Sequence, residues 1–253
     1  MVALTLRFHG RLNELLPAGA RHRPIERAVD GSPTVKDVIE SLGIPHVEVD
    51  VIVVAGVTVG FDHRVCHGDS VEVFPDASEV GGLTRVHRLK PPPVAPDQLR
   101  FVVDGHLGRL AAYLRMLGFD TSYSNHASDG ALATLASREE RTLLTRDRGL
   151  LKRAIVQRGY LVRSDHPHDQ LREVVVRLGL GQACRLFGRC LRCNTLLEPI
   201  APAAARTRVP QRVAVEQNEF QHCPACDGLY WRGSHHARML RLIEAVVPDA
   251  VGR

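Results

Sequence analysis

Four cysteines near the C-terminal end of the chain have the spacing of a metal site. Cys190 and Cys193 form one Cys-x-x-Cys pair, Cys223 and Cys226 form another, and 29 residues separate the two pairs. Two such pairs supply four thiolates to a tetrahedral metal ion, and because no ligand position stays open the ion is structural. We therefore predict a zinc ribbon. Rubredoxin-type iron is the alternative, although Asn194 stands where a rubredoxin pair is usually followed by glycine.

The chemistry expected of these cysteines depends on the cellular compartment. The first eight residues alternate like a strand and lack the basic region and long apolar core of a signal peptide. No apolar run is long enough to cross a bilayer. We therefore expect a cytoplasmic protein without membrane contact, in which Cys-x-x-Cys pairs bind metal rather than form disulfides. Cys66 and Cys184 belong to neither pair, and we expect them to be buried hydrophobic residues.

Four aspartates form a second group of candidate ligands. Asp104, Asp147 and Asp165 follow short apolar segments, and Asp129 opens a predicted helix. In a parallel α/β sheet, ligands bind at the carboxyl ends of the strands. Carboxylates gathered there repel one another unless cations lie between them, and hard oxygen ligands suit Mg²⁺ or Mn²⁺ acting on a phosphodiester. The alternative is that each aspartate is an ordinary turn residue or helix N-cap.

The charge of the chain is unevenly distributed. Residues 1–80 contain 7 basic and 12 acidic residues, whereas residues 81–183 contain 16 and 10, and residues 184–253 contain 10 and 6. A basic region of this extent favours a polyanionic partner such as RNA, bound through its phosphates. The alternative is that an arginine-rich composition simply covers the surface with guanidinium groups.

Proline-rich and glycine-rich stretches divide the chain into domains. Residues 90–96, with the sequence KPPPVAP, cannot continue a helix or occupy a central strand, so they predict an extended linker. A weaker boundary lies near residues 179–188. We predict an N-terminal domain over residues 1–80, a linker over 81–98, a central domain over 99–183 and a C-terminal domain over 184–253.

The N-terminal domain has strand patterns around one short helix. The strands are predicted over residues 2–8, 51–56 and 70–75. The helix is predicted over residues 33–43, with Thr34 as its N-cap and Gly43 as its C-terminal stop.

The order of these N-terminal elements is similar to that of a known domain type. The segments LTLRFHGRL, TVKDVIESLGIP, VIVVAGVTV and HGDSVEVFP resemble a β-grasp (α+β), ubiquitin-like domain of the sulfur-carrier (ThiS/MoaD-like) type. The resemblance implies a free Gly-Gly terminus that is thiocarboxylated, but Gly81-Gly82 is followed here by another 171 residues. We therefore expect a docking module with an unknown protein partner.

The central domain repeats a strand–helix pattern. Strands are predicted over residues 99–103, 142–145 and 160–163, and helices over 107–117, 127–140, after Asp147 and over 168–178. Repeated β-α units predict an α/β fold with a parallel sheet and helices on its faces.

Five motifs of the central and C-terminal domains resemble one nuclease family. The segments FVVDGHLGRLAAYLRMLGFDTSY, LLTRDRGLLKRA, YLVRSDHPHDQLREVV, CLRCN and CPACDGLYWRGSHHARM are similar to the PIN-like ribonucleases named for the C-terminal domain of Mut-7. The resemblance covers residues 99–241, and many bacterial members also have a β-grasp domain in front. It implies a PIN-like central domain that cuts RNA at acidic residues around Mg²⁺ or Mn²⁺.

The resemblance also implies roles for the four aspartates. Asp104 matches the first acid and Asp147 the third, and these two are the expected Mg²⁺ or Mn²⁺ ligands. Asp129 is the candidate for the second catalytic acid, with Glu139 or Glu140 as alternatives. Asp165 is the candidate for the fourth, with Asp169 as the alternative. Gly105-His106 follows Asp104 where the family more often has an acidic and then a large apolar residue, so the resemblance does not extend to a further ligand next to Asp104.

The C-terminal domain also contains candidate RNA contacts. Residues 209–213, between the cysteine pairs, are predicted to be strands of the zinc ribbon. Aromatic residues beside arginine and histidine can stack on bases and bind phosphates. The candidate RNA-binding residues are Arg109, Arg146, Arg148, Trp231, Arg232 and His235. The alternative for Trp231 is that it packs the ribbon against the central domain.

These patterns predict a hydrolase, a metal-dependent ribonuclease with structural Zn²⁺ and catalytic Mg²⁺ or Mn²⁺. The first alternative is a non-catalytic protein that binds RNA, such as tRNA, or the ribosome, with a vestigial acid cluster. The second is a sulfur-carrier fusion in tRNA thiolation, which would require cleavage after Gly82.

Overall fold

A computed structural model describes residues 1–83 and 85–248. These residues form two compact units. The first unit contains residues 1–93 and 129–161, and the second contains residues 94–128 together with residues from 162 onward. None of the described helices is long and apolar enough to cross a membrane.

In chain order, the structure has a group of strands with one helix, then alternating strands and helices, and finally a small sheet with helices. The N-terminal elements are β1 (Val2–Phe8), β2 (Ile25–Val29), α1 (Val35–Ser41), β3 (Val51–Val54), β4 (Val57–Val59) and β5 (Ser70–Phe74). The central elements are β6 (Arg100–Val103), α2 (Gly108–Met116), β7 (Asp120–Tyr123), α3 (Asp129–Arg138), β8 (Thr142–Thr145), α4 (Arg148–Leu151), β9 (Gly159–Leu161) and α5 (Pro167–Leu178). The C-terminal elements are β10 (Glu198–Ile200), α6 (Pro202–Arg206), α7 (Gln211–Glu216), β11 (Phe220–His222), β12 (Leu229–Trp231) and α8 (Ser234–Val246).

The first unit contains a β-grasp sheet with the strand order β2-β1-β5-β3-β4. β1 pairs with β5 in parallel, and the other pairs are antiparallel. The alternating pattern of β1 places Leu4, Leu6 and Phe8 in the core, together with Ile39 of α1. The predicted β-grasp fold is therefore confirmed.

The predicted ends of α1 are also confirmed. The Thr34 hydroxyl accepts a hydrogen bond from the Asp37 N–H, and the Asp37 carboxylate accepts one from the Thr34 N–H, so the two residues form a capping box. Gly43 has a φ of +88°, which glycine adopts without steric cost just after a helix.

The chain beyond Gly82 packs back on the β-grasp sheet. Leu83 and Val86 pack against a buried cluster that includes Phe74. Asp50 is fully buried and forms an ion pair of 2.9 Å with Arg88. Its carboxylate also accepts hydrogen bonds from the N–H groups of Ala77 at 3.0 Å and Lys90 at 3.3 Å, and its carbonyl accepts one from Leu89 at 2.7 Å. The segment after the Gly-Gly pair is therefore part of the β-grasp packing.

The first unit also contains α3, β8, α4 and β9, which contact the β-grasp fold through buried polar groups. The His46 ring lies between the Glu40 carboxylate, at 2.7 Å, and the Val156 carbonyl, at 3.0 Å. The Leu161 N–H donates to the buried carboxylate of Glu48 at 3.0 Å. β8 and β9 are parallel. Within this unit, the β-grasp fold is thus joined to a β-α-β part of the central domain.

The second unit combines the other part of the central domain with the C-terminal domain. β6 and β7 are parallel, as expected of a β-α-β unit around α2. α5 packs on α2 and contacts α8. β10, β11 and β12 form an antiparallel sheet of three strands. The chain therefore has the predicted mixed α/β fold with a central parallel sheet.

Some predicted elements differ from those observed. Residues 209–213 were predicted as strands, but helix α7 begins at Gln211, directly after Pro210. The strands of the ribbon are β10, β11 and β12, which lie closer to the cysteines in the sequence. β7 was not predicted, since its sequence Asp-Thr-Ser-Tyr lacks an apolar run. The helix after Asp147 has only four residues. Cys66 is exposed, contrary to its predicted burial.

Replacement of Gly118 by alanine tests the turn between α2 and β7. Gly118 has a φ of +97°, and a Cβ there would overlap the Arg185 carbonyl oxygen. We expect Gly118→Ala to lower the free energy of unfolding by about 3 kcal/mol through backbone strain and overpacking. The control is Gly179→Ala, where φ is +64° and no atom lies within 4 Å. Its expected cost is about 1 kcal/mol, and equal losses in urea denaturation would contradict the role of the close contact.

Replacement of Asp50 by alanine tests the packing of the segment after Gly82. Two partly buried N–H groups, of Ala77 and Lys90, lose their acceptor, so we expect a loss of about 2 kcal/mol in the free energy of unfolding. Hydrogen exchange at Leu89 and Lys90 is expected to rise in the same variant. Asp30→Ala, at an exposed position of the β-grasp fold, is the matched control. Unchanged exchange in Asp50→Ala would show that this segment is held by other contacts.

Candidate functional site

The four predicted metal-binding cysteines are gathered in the second unit. The Sγ atoms of Cys190, Cys193, Cys223 and Cys226 all lie within 4.8 Å of one another. The Cys190–Cys226 and Cys193–Cys223 Sγ distances are 3.5 and 3.3 Å. A tetrahedral ion with metal–sulfur bonds of about 2.3 Å requires sulfur separations of about 3.8 Å. The spacing of the thiols therefore fits a Zn²⁺ ion, as predicted from the sequence.

The backbone of each cysteine pair closes a turn suited to this geometry. Asn194 and Asp227, each directly after the second cysteine of a pair, have φ values of +72° and +56°. Their N–H groups donate to the carbonyls of Cys190 and Cys223 at 3.0 and 2.9 Å. Asparagine and aspartate tolerate this left-handed conformation. The absence of glycine after the first pair therefore does not disturb the site.

The ionisation of the thiols is uneven before a metal binds. The hydrogen bond between the Cys193 sulfur and the Thr195 hydroxyl lowers the pKa of Cys193 to about 6. For Cys226, a hydrogen bond from the Gly228 N–H lowers the pKa, but the neighbouring thiols outweigh it and the pKa rises to about 12. Four thiolates this close repel one another, and a divalent cation removes that repulsion. The donor set therefore favours a soft divalent metal over an empty site.

The first cysteine pair is tied to the turn that leads into β7. The Asn194 side chain accepts a hydrogen bond from the Thr121 N–H at 2.9 Å and donates one to Asp120 at 2.8 Å. Arg189 donates to the Gly118 carbonyl at 3.1 Å and to the Asn194 carbonyl at 3.0 Å. The ribbon and β7 are therefore parts of one hydrogen-bonded assembly within the second unit.

Arg115 on α2 completes this connection. Its guanidinium donates to the Thr121 carbonyl at 2.9 Å and to the carbonyls of Leu191 and Arg192 at 3.0 and 2.9 Å. The residue is only 5% exposed. Burial lowers the pKa of Arg115, whereas the thiolates of the first cysteine pair raise it. A buried cation beside a tetrathiolate site offsets part of the negative charge that metal binding leaves there.

Two of the predicted acids lie in the second unit. Asp104 is half-buried directly after β6, and its carboxylate makes no capping bond to the following turn. The Tyr123 hydroxyl of β7 donates to the Gly105 carbonyl at 3.0 Å and so holds the turn that presents Asp104. Asp165 is exposed, and the buried Gln170 side chain donates to its carbonyl at 3.2 Å. β9 ends at Leu161, so Asp165 lies beyond the strand rather than at its end.

The other two acids lie in the first unit. Asp147 is exposed after β8, and its Oδ1 accepts a hydrogen bond from the Gly149 N–H at 2.6 Å. Asp147 is thus the N-cap of α4, which is the alternative to metal binding that the sequence also predicted. Asp129 opens α3 and lies 4.0 Å from Arg153, with both side chains about half exposed. The four acids are therefore divided equally between the two units.

The alternative acids are engaged by arginines or exposed. Glu139 accepts from Arg138 at 2.7 Å and Arg141 at 2.8 Å, and these hydrogen bonds hold its pKa below the usual value. Asp169 pairs with Arg172 at 3.3 Å, and Glu140 is exposed. Among the residues that the structure describes, the cysteine quartet is the group of metal-type ligands within mutual reach.

The candidate RNA-binding residues have different surroundings. Arg109 and Arg146 are exposed. Arg148 is also exposed but donates to the Gly43 carbonyl at 3.0 Å, so it helps to join α4 to the β-grasp fold. Trp231 is half-buried on β12 and lines a cavity together with His235. Arg232 is exposed and lies 3.5 Å from Glu219.

Two residues of this site were not identified from the sequence. Arg115 lies four residues after Ala111, on the edge of the apolar stripe of α2, and this position could have indicated a buried cation. Tyr123 could have been found only by recognising β7. Both residues act through backbone carbonyls, for which a sequence contains no direct signal.

The fold and the site define a mixed α/β protein with a β-grasp domain, a central parallel sheet and a four-cysteine metal site. The family model described as the Mut7-C RNAse domain matches residues 99–243, and the model described as Mut7-C ubiquitin matches residues 1–80. The chain belongs to the Mut7-C RNase domain family.

One solved structure is similar to the N-terminal part of the chain. It is described as "Putative molybdopterin converting factor, subunit 1" from Pyrococcus furiosus, with 28% sequence identity. The match covers 30% of this chain and 98% of that chain, with a TM-score of 0.24. No curated protein matches the chain.

Replacement of a cysteine tests the metal site. We expect the wild-type chain to bind one equivalent of zinc, and Cys223→Ser to lose it, because three thiolates leave the tetrahedral site incomplete. The melting temperature of the variant is expected to fall, since metal binding contributes to folding. Elemental analysis and thermal denaturation measure both effects. Cys184→Ser is the matched control, because burial raises the pKa of that thiol to about 11. Equal zinc content in Cys223→Ser and wild type would refute the site.

Proposed function

We propose that the chain is a metal-dependent ribonuclease. The main support is the match of the Mut7-C RNAse domain to residues 99–243, a range that includes Asp104, Asp129, Asp147 and Asp165. A basic charge over the same region is suited to a polyanionic substrate. The reaction is hydrolysis of an RNA phosphodiester bond.

In this proposal Asp104 and Asp147 are the principal ligands of a divalent cation. Each follows a strand of a parallel pair, which is the usual position of ligands in α/β sheets. Their carboxylate oxygens are hard donors that suit Mg²⁺ or Mn²⁺. When bound, such an ion lowers the pKa of the attacking water and neutralises charge on the phosphate. Asp129 and Asp165 are proposed to complete the acidic set.

Other residues of the chain would position these acids. Tyr123 restrains the turn after Asp104 through the Gly105 carbonyl. The hydrogen bond from Gly149 fixes one oxygen of Asp147 and orients the other. The exposed guanidinium groups of Arg109 and Arg146 supply positive charge for RNA phosphates. The zinc ribbon has a structural role and a role in RNA binding, rather than in the hydrolytic step.

The sulfur-carrier alternative is less well supported. A carrier needs a free C-terminal Gly-Gly, whereas residues after Gly82 pack on the β-grasp core and pair with Asp50. In addition, His46 and Glu48 bind backbone groups of residues 156 and 161. We propose that the β-grasp domain supports the segment 129–161, which includes Asp147. Affinity purification tests whether the same domain also binds another protein.

Substitution of the two principal acids tests the ribonuclease proposal. We expect wild-type protein to cleave end-labelled single-stranded RNA with Mn²⁺ or Mg²⁺, and Asp104→Asn and Asp147→Asn to be at least about 100-fold slower, since metal activation contributes several kcal/mol. The matched control is Asp97→Asn, at an exposed position in the turn before β6.

The outcomes separate the competing functions. Equal residual cleavage by all variants would show that a contaminating nuclease is present. RNA binding without any metal-dependent cleavage by wild type would favour the non-catalytic RNA-binding protein. A cellular fragment ending at Gly82, detected by mass spectrometry, would support the sulfur-carrier alternative.

A further inference from the structure

The zinc ribbon contains a cavity of about 560 Å³ within the second unit. Its walls are largely apolar and aromatic, and include Phe187, Leu191, Tyr230, Trp231 and Met239. A volume of several hundred Å³ with apolar walls and a few polar groups is typical of sites for small ligands or ligand fragments. The zinc ribbon thus has a concave surface in addition to its metal site.

A second cavity, of about 430 Å³, shares part of this wall. Phe187, Tyr230, Trp231 and His236 line both cavities. The rings of Phe187 and His236 lie 4.2 Å apart between centroids, with a tilt of 38°. Trp231 is placed by β12, where it pairs with the buried Phe220 of β11. The shared wall therefore presents several rings held by the sheet and by α8.

Cationic side chains accompany the aromatic wall. Arg192 lines the larger cavity and Arg232 the smaller one, and both are exposed. The ion pair between Arg232 and Glu219 joins two side chains that are each about three-quarters exposed, so it restrains Arg232 little. Residues 184–253 contain 10 basic and 6 acidic residues. The charge around the cavity is complementary to a polyanion.

We propose that the aromatic wall shared by the two cavities, formed by Phe187, Trp231 and His236, binds an unstacked base of single-stranded RNA. Arg192, beside the larger cavity, and Arg232, beside the smaller one, bind the adjacent phosphates. This inference rests on the proposed function for its substrate class, and it places recognition of single strands in the zinc ribbon. Bases stack on aromatic rings in a sequence-tolerant way, whereas a duplex keeps its bases paired and cannot insert one without unstacking it.

The state of His236 agrees with this occupant. Burial, with a smaller effect from Arg232, lowers the pKa of His236 and so favours the neutral form of its ring. A neutral imidazole can stack on a base and has one nitrogen that accepts a hydrogen bond from an amino group. An acidic peptide would instead gain from a charged imidazole.

Trp231 is the single tryptophan of the chain, so its fluorescence reports directly on the cavity. The experiment titrates the zinc-loaded full chain, without Mg²⁺ or Mn²⁺, with a ten-nucleotide oligoadenylate and with an RNA duplex of equal length. We expect saturable quenching by the single strand and at least about fivefold weaker binding of the duplex, because a stacked base contributes about 1–3 kcal/mol. Fluorescence anisotropy of labelled RNA measures total binding in parallel.

Two variants and a matched control localise the effect. We expect His236→Ala to weaken single-strand binding about fivefold or more by removing a stacking surface. Arg192→Gln is expected to weaken it about threefold and to reduce its salt dependence. Arg212→Gln makes the same charge change in the same domain, at an exposed residue of α7 that lines neither cavity. Zinc content and melting temperature confirm that each variant is folded.

The proposal is overturned if RNA binds by anisotropy without changing Trp231 emission, or if duplex and single strand bind equally. It is also overturned if RNA does not bind, or if His236→Ala and Arg192→Gln bind no more weakly than Arg212→Gln. The wild-type titration alone can decide against it, so a variant that fails to fold does not rescue it.

Failure of the ribonuclease proposal gives a different result. In that case quenching persists while cleavage is absent from wild type or unaffected by Asp104→Asn. If only the cavity proposal fails, metal-dependent cleavage is lost in Asp104→Asn and quenching is absent.

Discussion

The buried guanidinium of Arg115 connects the metal site to the central domain. A buried cation is costly unless its N–H groups are hydrogen-bonded. Here the acceptors are the carbonyls of Thr121, Leu191 and Arg192, so α2, β7 and the first cysteine pair must keep one arrangement. The left-handed turn at Asn194 and its bond to Thr121 depend on the same arrangement. The zinc ribbon of this protein is therefore an extension of the nuclease-like fold rather than an appended module.

The β-grasp domain is joined to residues 129–161 of the central domain in the same way, by hydrogen bonds between buried polar side chains and backbone groups. Glu48 is almost fully buried, and the Leu161 N–H supplies one of its hydrogen bonds, while Arg11 lies 3.6 Å away. Both ring nitrogens of His46 face acceptors, the Glu40 carboxylate and the Val156 carbonyl. Separating the β-grasp domain from residues 129–161 would break these hydrogen bonds, and a polar group that stays buried without a partner is energetically costly. Such contacts favour a permanent structural association over a transient one.

Much of the fold followed from patterns in the sequence, because those patterns are local. The capping box at Thr34 and the apolar stripe of α2 each lie within a dozen residues, and the tetrathiolate follows from two short motifs. β7 and α7 could not be predicted in the same way. β7 is polar and is a strand because it pairs with β6, while α7 follows a proline in a segment whose strand propensity is overridden by its context. For the acids, position after a strand was predictable, but Asp147 also caps a helix, and sequence alone cannot separate these roles.

The cysteine quartet and the proposed base cavity have residues in common, and this links two features that the sequence presents separately. Leu191 and Arg192 lie between the first two metal ligands and also line the larger cavity. The Tyr230 hydroxyl lies 3.0 Å from the Cys190 sulfur, while its ring lines both cavities. A closed tetrathiolate site holds these residues more tightly than a four-cysteine turn without metal. In the proposed function, a metal ion held by the four cysteines would therefore act on RNA binding by fixing the shape of the cavity.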